Sequence, residues 1–453
     1  VTRSAEGHQC GDASEARTVF LGIDFGTSNS AAALVKADGV LQVMQLEATR
    51  AEMPTAVFFA SETHTVLFGG AAMAAYLAGT EGRLLRSLKS LLGSQLMDES
   101  TVVNGQALRF FDIVVLFLQE LKRRCEAQAG CALTHAVLGR PVHFVDEDPE
   151  SDQLAQDTLG RAARHVGFTD VRFALEPVAA ALDFAQRIEH ETRTLVVDIG
   201  GGTSDFTVMR LQPRQGADIL ATTGVHIGGT DFDRLLDLAV VMPLLGYRHI
   251  GRGGRPVPNS VFFDLSTWHL IHRCYTRKAM AFAQELWTDY TDPTLHRRLM
   301  QALEEQQGHR MLSAIEAAKI NCSLSGADAA VALDFLESSP STNIDVNVDV
   351  KISVNDMAQA LEAAVGQVVR CALECVAQSG LPGVDVVYLT GGSSAMRPLM
   401  QALQTAMPQA TMVQGNRFGG VAAGLAYAGL QTGVENSRTG NSLWTTCHQP
   451  RSA

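Results

Sequence analysis

The chain has 453 residues, long enough for two or three domains of ordinary size with ample core. Hydrophobic residues make up 46% of it and mean hydropathy is +0.07, and it contains no apolar run of the roughly 18 residues that a membrane span needs. The net charge of −12 argues against a nucleic-acid or anionic-membrane surface, and eight cysteines without a CxxC pair fit a reduced, cytoplasmic protein.

Residues 1–17 read as a polar leader that lacks the basic start and apolar stretch of a secretory signal. Val19–Thr27, VFLGIDFGT, is then an apolar strand running into Asp24, Gly26, Thr27 and Ser28, with a second strand at Ala31–Val35. Further strands are expected at Leu41–Leu46 and Ala56–Ala60. Lys89 lies in a helical segment and, judged alone, belongs on the solvent side. Phe111–Cys125 is a helix dense in apolar residues, and Lys122, Arg123 and Arg124 suit its C-terminal end. A strand at Ala136–Leu138 closes at Gly139 and Pro141, and Asp146–Ser151 reads as a solvated acidic loop. Pro177 starts a helix at Val178–Ile188, so Glu176 sits at a helix N-terminus, where the dipole stabilises its carboxylate.

Leu195–Asp205, LVVDIGGGTSD, carries the strongest signal in the chain: a buried strand, Asp198, then Gly200, Gly201, Gly202, Thr203, Ser204 and Asp205, and a returning strand. Successive glycines let backbone N–H groups converge into a nest for phosphate oxygens, with Thr203 adding a hydroxyl. Asp198 and Asp205 repel phosphate, so they make sense in such a nest only with a cation such as magnesium between. A plain glycine hairpin explains the segment equally well by itself. The Asp24 turn repeats the pattern, and a third glycine turn, Thr390–Ser394, follows the strand Val386–Leu389, which together suggest a duplicated nucleotide cradle.

Between these turns, Gly228–Asp233 forms a turn and helix entry, and Trp268–Gln306 reads as helices broken at Asp292 and Pro293. Glu316, Lys319 and Ser323 fall on one helix face, where a surface Glu–Lys pair is the simplest account. Strict alternation from Ile344 to Val354 predicts a half-buried antiparallel strand. Met357–Val376 returns to helical spacing with Cys371 and Cys375 as buried thiols, and Met396, Leu399, Met400, Leu403 and Met407 mark the core face of a last helix. Beyond Leu430 the chain is a polar tail, 431–453.

Taken in order, DFGT (Asp24–Thr27), RSLKSLLG (Arg86–Gly93), AVLGRPVHF (Ala136–Phe144), LEPVAAAL (Leu175–Leu182), DIGGGTSD (Asp198–Asp205), GVHIGGTDFD (Gly224–Asp233), IEAAKINCS (Ile315–Ser323) and YLTGGSS (Tyr388–Ser394) resemble the DnaK-type heat-shock chaperones of the actin-like ATPase superfamily. MPLLG at Met242 points to the short YegD-like members. The resemblance covers about 18–430 and implies an α/β, actin-like ATPase fold of two lobes, each with a duplicated ribonuclease-H-like core and the nucleotide in the cleft between them. Lobe I would be 18–190 and lobe II 191–430, with a helical insertion at about 234–310. The peptide-binding half of such chaperones has no counterpart in the segment after Leu430.

The resemblance also assigns roles. Gly26, Thr27 and Ser28 would clasp one side of the phosphates and Gly200, Gly201, Gly202 and Thr203 the other. Asp24 and Asp198 would hold Mg2+ through its water shell, and Asp205 would support a monovalent cation such as K+. Lys89 would stand beside the γ-phosphate and Glu176 would orient water, making Lys89, Glu176, Asp198 and Thr203 the catalytic set. Gly228, Gly229, Glu316, Lys319, Ser323, Gly391, Gly392 and Ser393 would approach the rest of ATP or ADP. In two places the chain departs from the family: Ala395 and Ile320 stand where the family has adenine-flanking arginines, and Arg397 is displaced by a one-residue insertion. The expected function is slow, Mg-dependent ATP hydrolysis coupled to lobe closure on a partner protein, with no nucleic acid or membrane. The alternatives are an actin-like filament or division ATPase, a sugar or acetate kinase, and a pseudo-ATPase scaffold.

Overall fold

A computed structural model describes residues 19–36, 38–145, 148–185, 187–213, 216–336, 350–415 and 419–430. The leader, the tail and the 344–349 part of the expected strand lie outside these residues. The chain forms two compact units, one of Val1–His226, Arg370–Ser394 and Met407–Ala453, the other of Ile227–Val369 and Ala395–Ala406.

In chain order the elements begin with β1 (Phe20–Phe25), β2 (Asn29–Val35), β3 (Leu41–Val43), β4 (Met53–Pro54), β5 (Ala56–Ala60), β6 (Val66–Phe68), α1 (Gly69–Leu77), β7 (Gly82–Arg86), β8 (Ser100–Val103) and β9 (Gln106–Arg109). Next come α2 (Phe110–Ala129), β10 (His135–Arg140), α3 (Pro149–His165), β11 (Asp170–Leu175), α4 (Glu176–Ala185), β12 (Thr192–Ile199), β13 (Ser204–Gln212) and β14 (Gly216–Val225). The second unit supplies α5 (Gly229–Val240), α6 (Ser260–Leu265), α7 (Ile271–Cys274), α8 (Arg277–Glu285), α9 (Pro293–Glu304), α10 (Gly308–Ser325), β15 (Ala329–Val331) and β16 (Val350–Ile352). Then follow α11 (Val354–Gln378), β17 (Val386–Thr390), α12 (Arg397–Ala406), β18 (Thr411–Gln414) and α13 (Gly420–Leu430).

The first unit contains the same sheet twice. One runs β11-β10-β1-β2-β3 and the other β18-β17-β12-β13-β14. In each, the central strand pairs parallel with the strand on one side and antiparallel with its hairpin partner on the other. In β1, Leu21, Ile23 and Phe25 enter a core with Phe117 and Leu118 of α2 and Leu159 of α3, while Phe20 faces a second core with Val178 and Ala181 of α4 and Leu425 of α13. A strand covered on both faces reads as a continuous apolar run, as FLGIDF does. Each fully buried Leu, Ile or Phe side chain contributes about 1.5–3 kcal/mol.

Helix α13, GVAAGLAYAGL, is built of small residues because it lies directly on backbone. A Cβ on Gly424 would collide with the carbonyl of Ala179 in α4, and one on Gly22 of β1 with the carbonyl of Ala422.

Among its described residues the second unit is helical apart from the β15–β16 pair and an isolated Ile250–Pro256 bridge. Trp268, Ile271 and Leu312 form a small core in it. Asp292 caps α9 by accepting from the Thr294 N–H at 2.8 Å, with Pro293 as the first helical residue, which is the break the sequence predicts. The Tyr290 hydroxyl donates to the carbonyl of Leu245 at 2.7 Å, and its ring fills the space a side chain on Gly246 would need. Asp237 of α5 is fully buried and neither carboxyl oxygen has a hydrogen-bond partner among the described residues. Burial, and then the neighbouring Asp233, hold its carboxyl well above the ordinary 3.8.

Several expectations change. Helix α3 begins at Pro149, so only the start of the acidic segment precedes it, and Asp148 is the residue that caps it. The Pro177 helix starts at Glu176 and ends at Ala185. Val354, expected at the end of a strand, opens α11 instead, and the described strand is Val350–Ile352 paired with β15. Cys375 is buried as expected, while Cys371 is half-buried. Among the described residues no helix is long and apolar enough to cross a membrane.

Two substitutions probe this packing. Gly424→Val forces α13 off Ala179, and a loss of about 3 kcal/mol or more in denaturant unfolding is expected. Asp237 favours the folded state most when protonated, below pH about 4, and loses that contribution as pH rises toward its raised value. The stability of Asp237→Asn relative to the parent should therefore improve by about 1.4 kcal/mol per pH unit across that window. Melting temperatures measured from pH 4 upward read this directly, and parallel curves would contradict it.

Candidate functional site

The two hairpins of the first unit turn toward one another at their tips. Gly26 makes the β1–β2 turn, where a Cβ would collide with the carbonyl of Asn29. A Cβ on Gly201 of the β12–β13 turn would collide with Ser28 Oγ, and one on Gly202 would lie 3.4 Å from Thr27 Oγ1. The glycines therefore bring two backbones together where side chains would hold them apart. The third turn joins through the parallel β12–β17 pairing, which places Asp198 opposite Thr390. Gly391 follows at φ +81°, a left-handed conformation that favours glycine, and a Cβ there would strike the Asp198 carboxylate. The Ser393 N–H donates to the carbonyl of Ile199 at 3.1 Å, which ties this turn to β12.

Charged groups line the same region. Lys89 is buried, 8% exposed, and its Nζ meets Glu176 Oε1 at 2.6 Å. The solvent-side position expected of a lone lysine is thus overturned. Ser87, a non-glycine residue at φ 59°, sets up the single 3-10 turn Leu88–Leu91 that carries Lys89. Asp205 Oδ1 accepts the Val142 N–H at 2.7 Å and Oδ2 accepts the Thr203 hydroxyl at 2.9 Å. Burial, and then the Glu176 charge, push Asp24 up to about 7, with Lys89 opposing. The same two causes push Asp205 up to about 7 against the Val142 and Thr203 hydrogen bonds and Lys89. Burial raises Asp198 well above its ordinary value, with Glu176, Asp205 and Asp24 adding to it. For Lys89, burial pulls downward but Glu176, Asp24 and Asp205 together outweigh it, and the ammonium is raised.

One ammonium therefore faces four carboxyl groups. Such an excess of buried negative charge is met either by protons or by a cation. Oxygen donors of this kind suit magnesium, which keeps several waters when one or two carboxylates and a phosphate hold it. Among the described residues, no three His, Cys, Asp or Glu side chains form a direct cage for an ion.

Gly228, Gly229, Glu316, Lys319 and Ser323 lie in the second unit. Gly228 caps α5, its N–H donating to Asp231 Oδ2 at 3.0 Å. Lys319 is buried, with Nζ 2.7 Å from Asp233 Oδ1 and 3.2 Å from the Gly229 carbonyl, so its ion pair joins two helices and does not lie along a surface. Ser323 is buried beside it and Glu316 is half-buried. Arg397 donates from Nε to the Ser323 carbonyl at 2.9 Å and sits against Gly326, which places its guanidinium at the C-terminus of α10.

Sequence reasoning missed Asp233, whose only signal is its place one turn after Gly229. It also missed the buried Arg140, which binds Gln156 and Asp152 at 2.7 Å each and steadies the Val142–Phe144 loop beside Asp205. Arg140 carries no recognisable signal because its partners come from a different element.

A sequence model described as Hsp70 protein matches residues 100–242. The chain is similar to the chaperone protein DnaK of Endomicrobium trichonymphae, 31% identical over 222 residues, which are 48% of this chain and 34% of that protein. It is also similar to DnaK of Mycoplasmopsis pulmonis, 30% identical over 223 residues, 49% of this chain and 35% of that protein. With DnaK of Thermotoga petrophila the identity is 30% over 227 residues, 49% and 36% of the two chains. The matched stretch spans about a third of the length of these relatives.

Removing one partner of the Lys89–Glu176 pair leaves a buried charge uncompensated, so Lys89→Met should lower stability by about 3 kcal/mol. Adding Glu176→Gln in that background should restore most of the loss, as a double-mutant cycle by urea unfolding would show. With Glu176→Gln also measured alone, a double-variant loss equal to the sum of the two single losses would mean the pair is not coupled.

Proposed function

The chain belongs to the Hsp70 family as a DnaK-type nucleotide-binding region with the actin-like ATPase fold, and from that premise we propose that it binds ATP and ADP with Mg2+ and hydrolyses ATP slowly. One observation carries the reading. The tips of two glycine hairpins meet, Ser28 against Gly201, beside a buried Lys89–Glu176 pair, the buried Asp198 and Asp205 and the half-buried Asp24. Backbone N–H groups and hydroxyls at such tips suit phosphate oxygens, and the adjoining carboxylates suit the cation that accompanies phosphate.

In this reading Gly26, Thr27 and Ser28 hold one side of the phosphate chain and Gly200–Thr203 the other. Asp24 and Asp198 would hold magnesium, which would supply charge neutralisation at the phosphates. Lys89 places an ammonium where charge grows on the transferring phosphoryl group, and Glu176 accepts a hydrogen bond from the attacking water and aligns it. Thr203 holds Asp205 through its hydroxyl and offers its N–H to phosphate. Closure of a lobe at 18–190 on a lobe at 191–430 would then present or hide a surface for a partner protein.

The base side supports a weaker grip. Arg397, the only arginine close in sequence to the position of Ala395, is engaged with the α10 carbonyls, and Ile320 is exposed where the family has a guanidinium. Loss of cation–π stacking removes about a kilocalorie per mole or more. Discrimination between ATP and GTP should accordingly be small.

Calorimetric titration of ATP, ADP and GTP with Mg2+ tests this. Asp198→Ala should weaken binding at least about tenfold, and Lys89→Ala, assayed below its melting temperature, should keep binding and lose about a hundredfold in hydrolysis. Absence of binding by every nucleotide would leave a pseudo-ATPase scaffold as the function.

A further inference from the structure

The charge of this chain is unevenly placed. Residues 246–280 hold Arg248, Arg252, Arg255, Arg273, Arg277 and Lys278 against the single carboxylate Asp264, a net of +5, which leaves −17 on the rest of a chain whose total is −12. All six basic side chains are exposed. Among the described residues none of the six lies in an ion pair, although the acidic residues Glu285, Asp289 and Asp292 follow closely in sequence. Elsewhere in the protein, the exposed Arg109 and Arg123 and the half-buried Arg193 are matched to carboxylates. The contrast sets this segment apart.

The segment is also firmly built. The loop closes on itself through Gly251 N–H to the Arg255 carbonyl at 2.9 Å and Val257 N–H to the His249 carbonyl at 3.0 Å. It is anchored to α6 by Tyr247, whose ring lies 5.7 Å from Phe262 and 5.9 Å from Phe263. Arg248 rests over the Tyr247 ring at 5.1 Å, and Phe263 is itself exposed. Helix α6 in turn contacts α7, where Cys274 Sγ lies 3.9 Å from the Val261 carbonyl, and Arg273, Arg277 and Lys278 follow. Burial first, and then Arg273 and His272, hold the His269 imidazole below its ordinary value, with Asp231 opposing.

We propose that residues 246–280 form a docking surface for an acidic peptide segment of a partner protein. Guanidinium groups that are not neutralised by their own chain are suited to bidentate carboxylate contacts, and a stacked arginine beside an exposed aromatic adds apolar area to them. A long polyanion such as RNA would extend beyond this segment onto a chain whose remaining net charge is −17, whereas a short acidic peptide needs only the six basic residues of the segment. The residues of this surface all belong to the second unit, whereas the phosphate-binding residues belong to the first.

The test is fluorescence anisotropy on the full chain with a labelled, short Glu-rich peptide at about 0.15 M salt. Its Glu-to-Gln counterpart and a single-stranded RNA of equal charge serve as comparisons. Arg252→Glu with Arg255→Glu, and separately Arg277→Glu with Lys278→Glu, should each weaken the peptide at least about tenfold with the melting temperature unchanged. Asp198→Ala should bind it as the parent does, which keeps this result distinct from that of the nucleotide titration. Unchanged affinity in either charge-reversed pair, equal binding of the Gln peptide, or tighter binding of the RNA would each overturn the proposal.

Discussion

The buried ion pair between Lys89 and Glu176 is the interaction on which the rest of the site depends. Three aspartates surround it, and removing that much negative charge from water costs far more than one ammonium returns. The centre therefore holds together by sharing: Lys89 answers Glu176 first and Asp24 and Asp205 at longer range, while Asp205 is steadied by the Val142 N–H and the Thr203 hydroxyl. An arrangement that is incomplete by itself is well suited to a ligand that brings its own cation.

Backbone proximity makes this centre possible. Two sheets of the same strand order meet α13 and α4, and the small residues of α13 let helix and strand approach to the limit of their main chains. The same device recurs at the hairpin tips, where Gly201 admits Ser28 and Gly391 admits the Asp198 carboxylate. Glycine here fixes distances; conformational freedom matters chiefly at Gly391, where φ is positive.

The second unit shows two cations drawn into internal contacts. Arg397 caps the C-terminus of α10 through the Ser323 carbonyl, and Lys319 spends its charge on Asp233. Both cations are committed inside the unit. The basic side chains of 246–280, by contrast, are exposed and, among the described residues, lie in no ion pair.

The sequence by itself determined the strand-turn-strand character of the Asp24 and Asp198 segments, the repetition that implies a duplicated core, the presence of a helix at Pro177 and the helix start at Pro293, because local backbone chemistry and apolar period suffice for these. It also marked the family through motifs whose spacing is as informative as their composition. Tertiary structure alone decided that Lys89 is buried, that its partner is Glu176, that Lys319 pairs with Asp233 and that Arg140 joins Asp152 and Gln156. Each of these brings together residues from different elements, and a side chain's surroundings, unlike its periodicity, exist only once the chain has folded back upon itself.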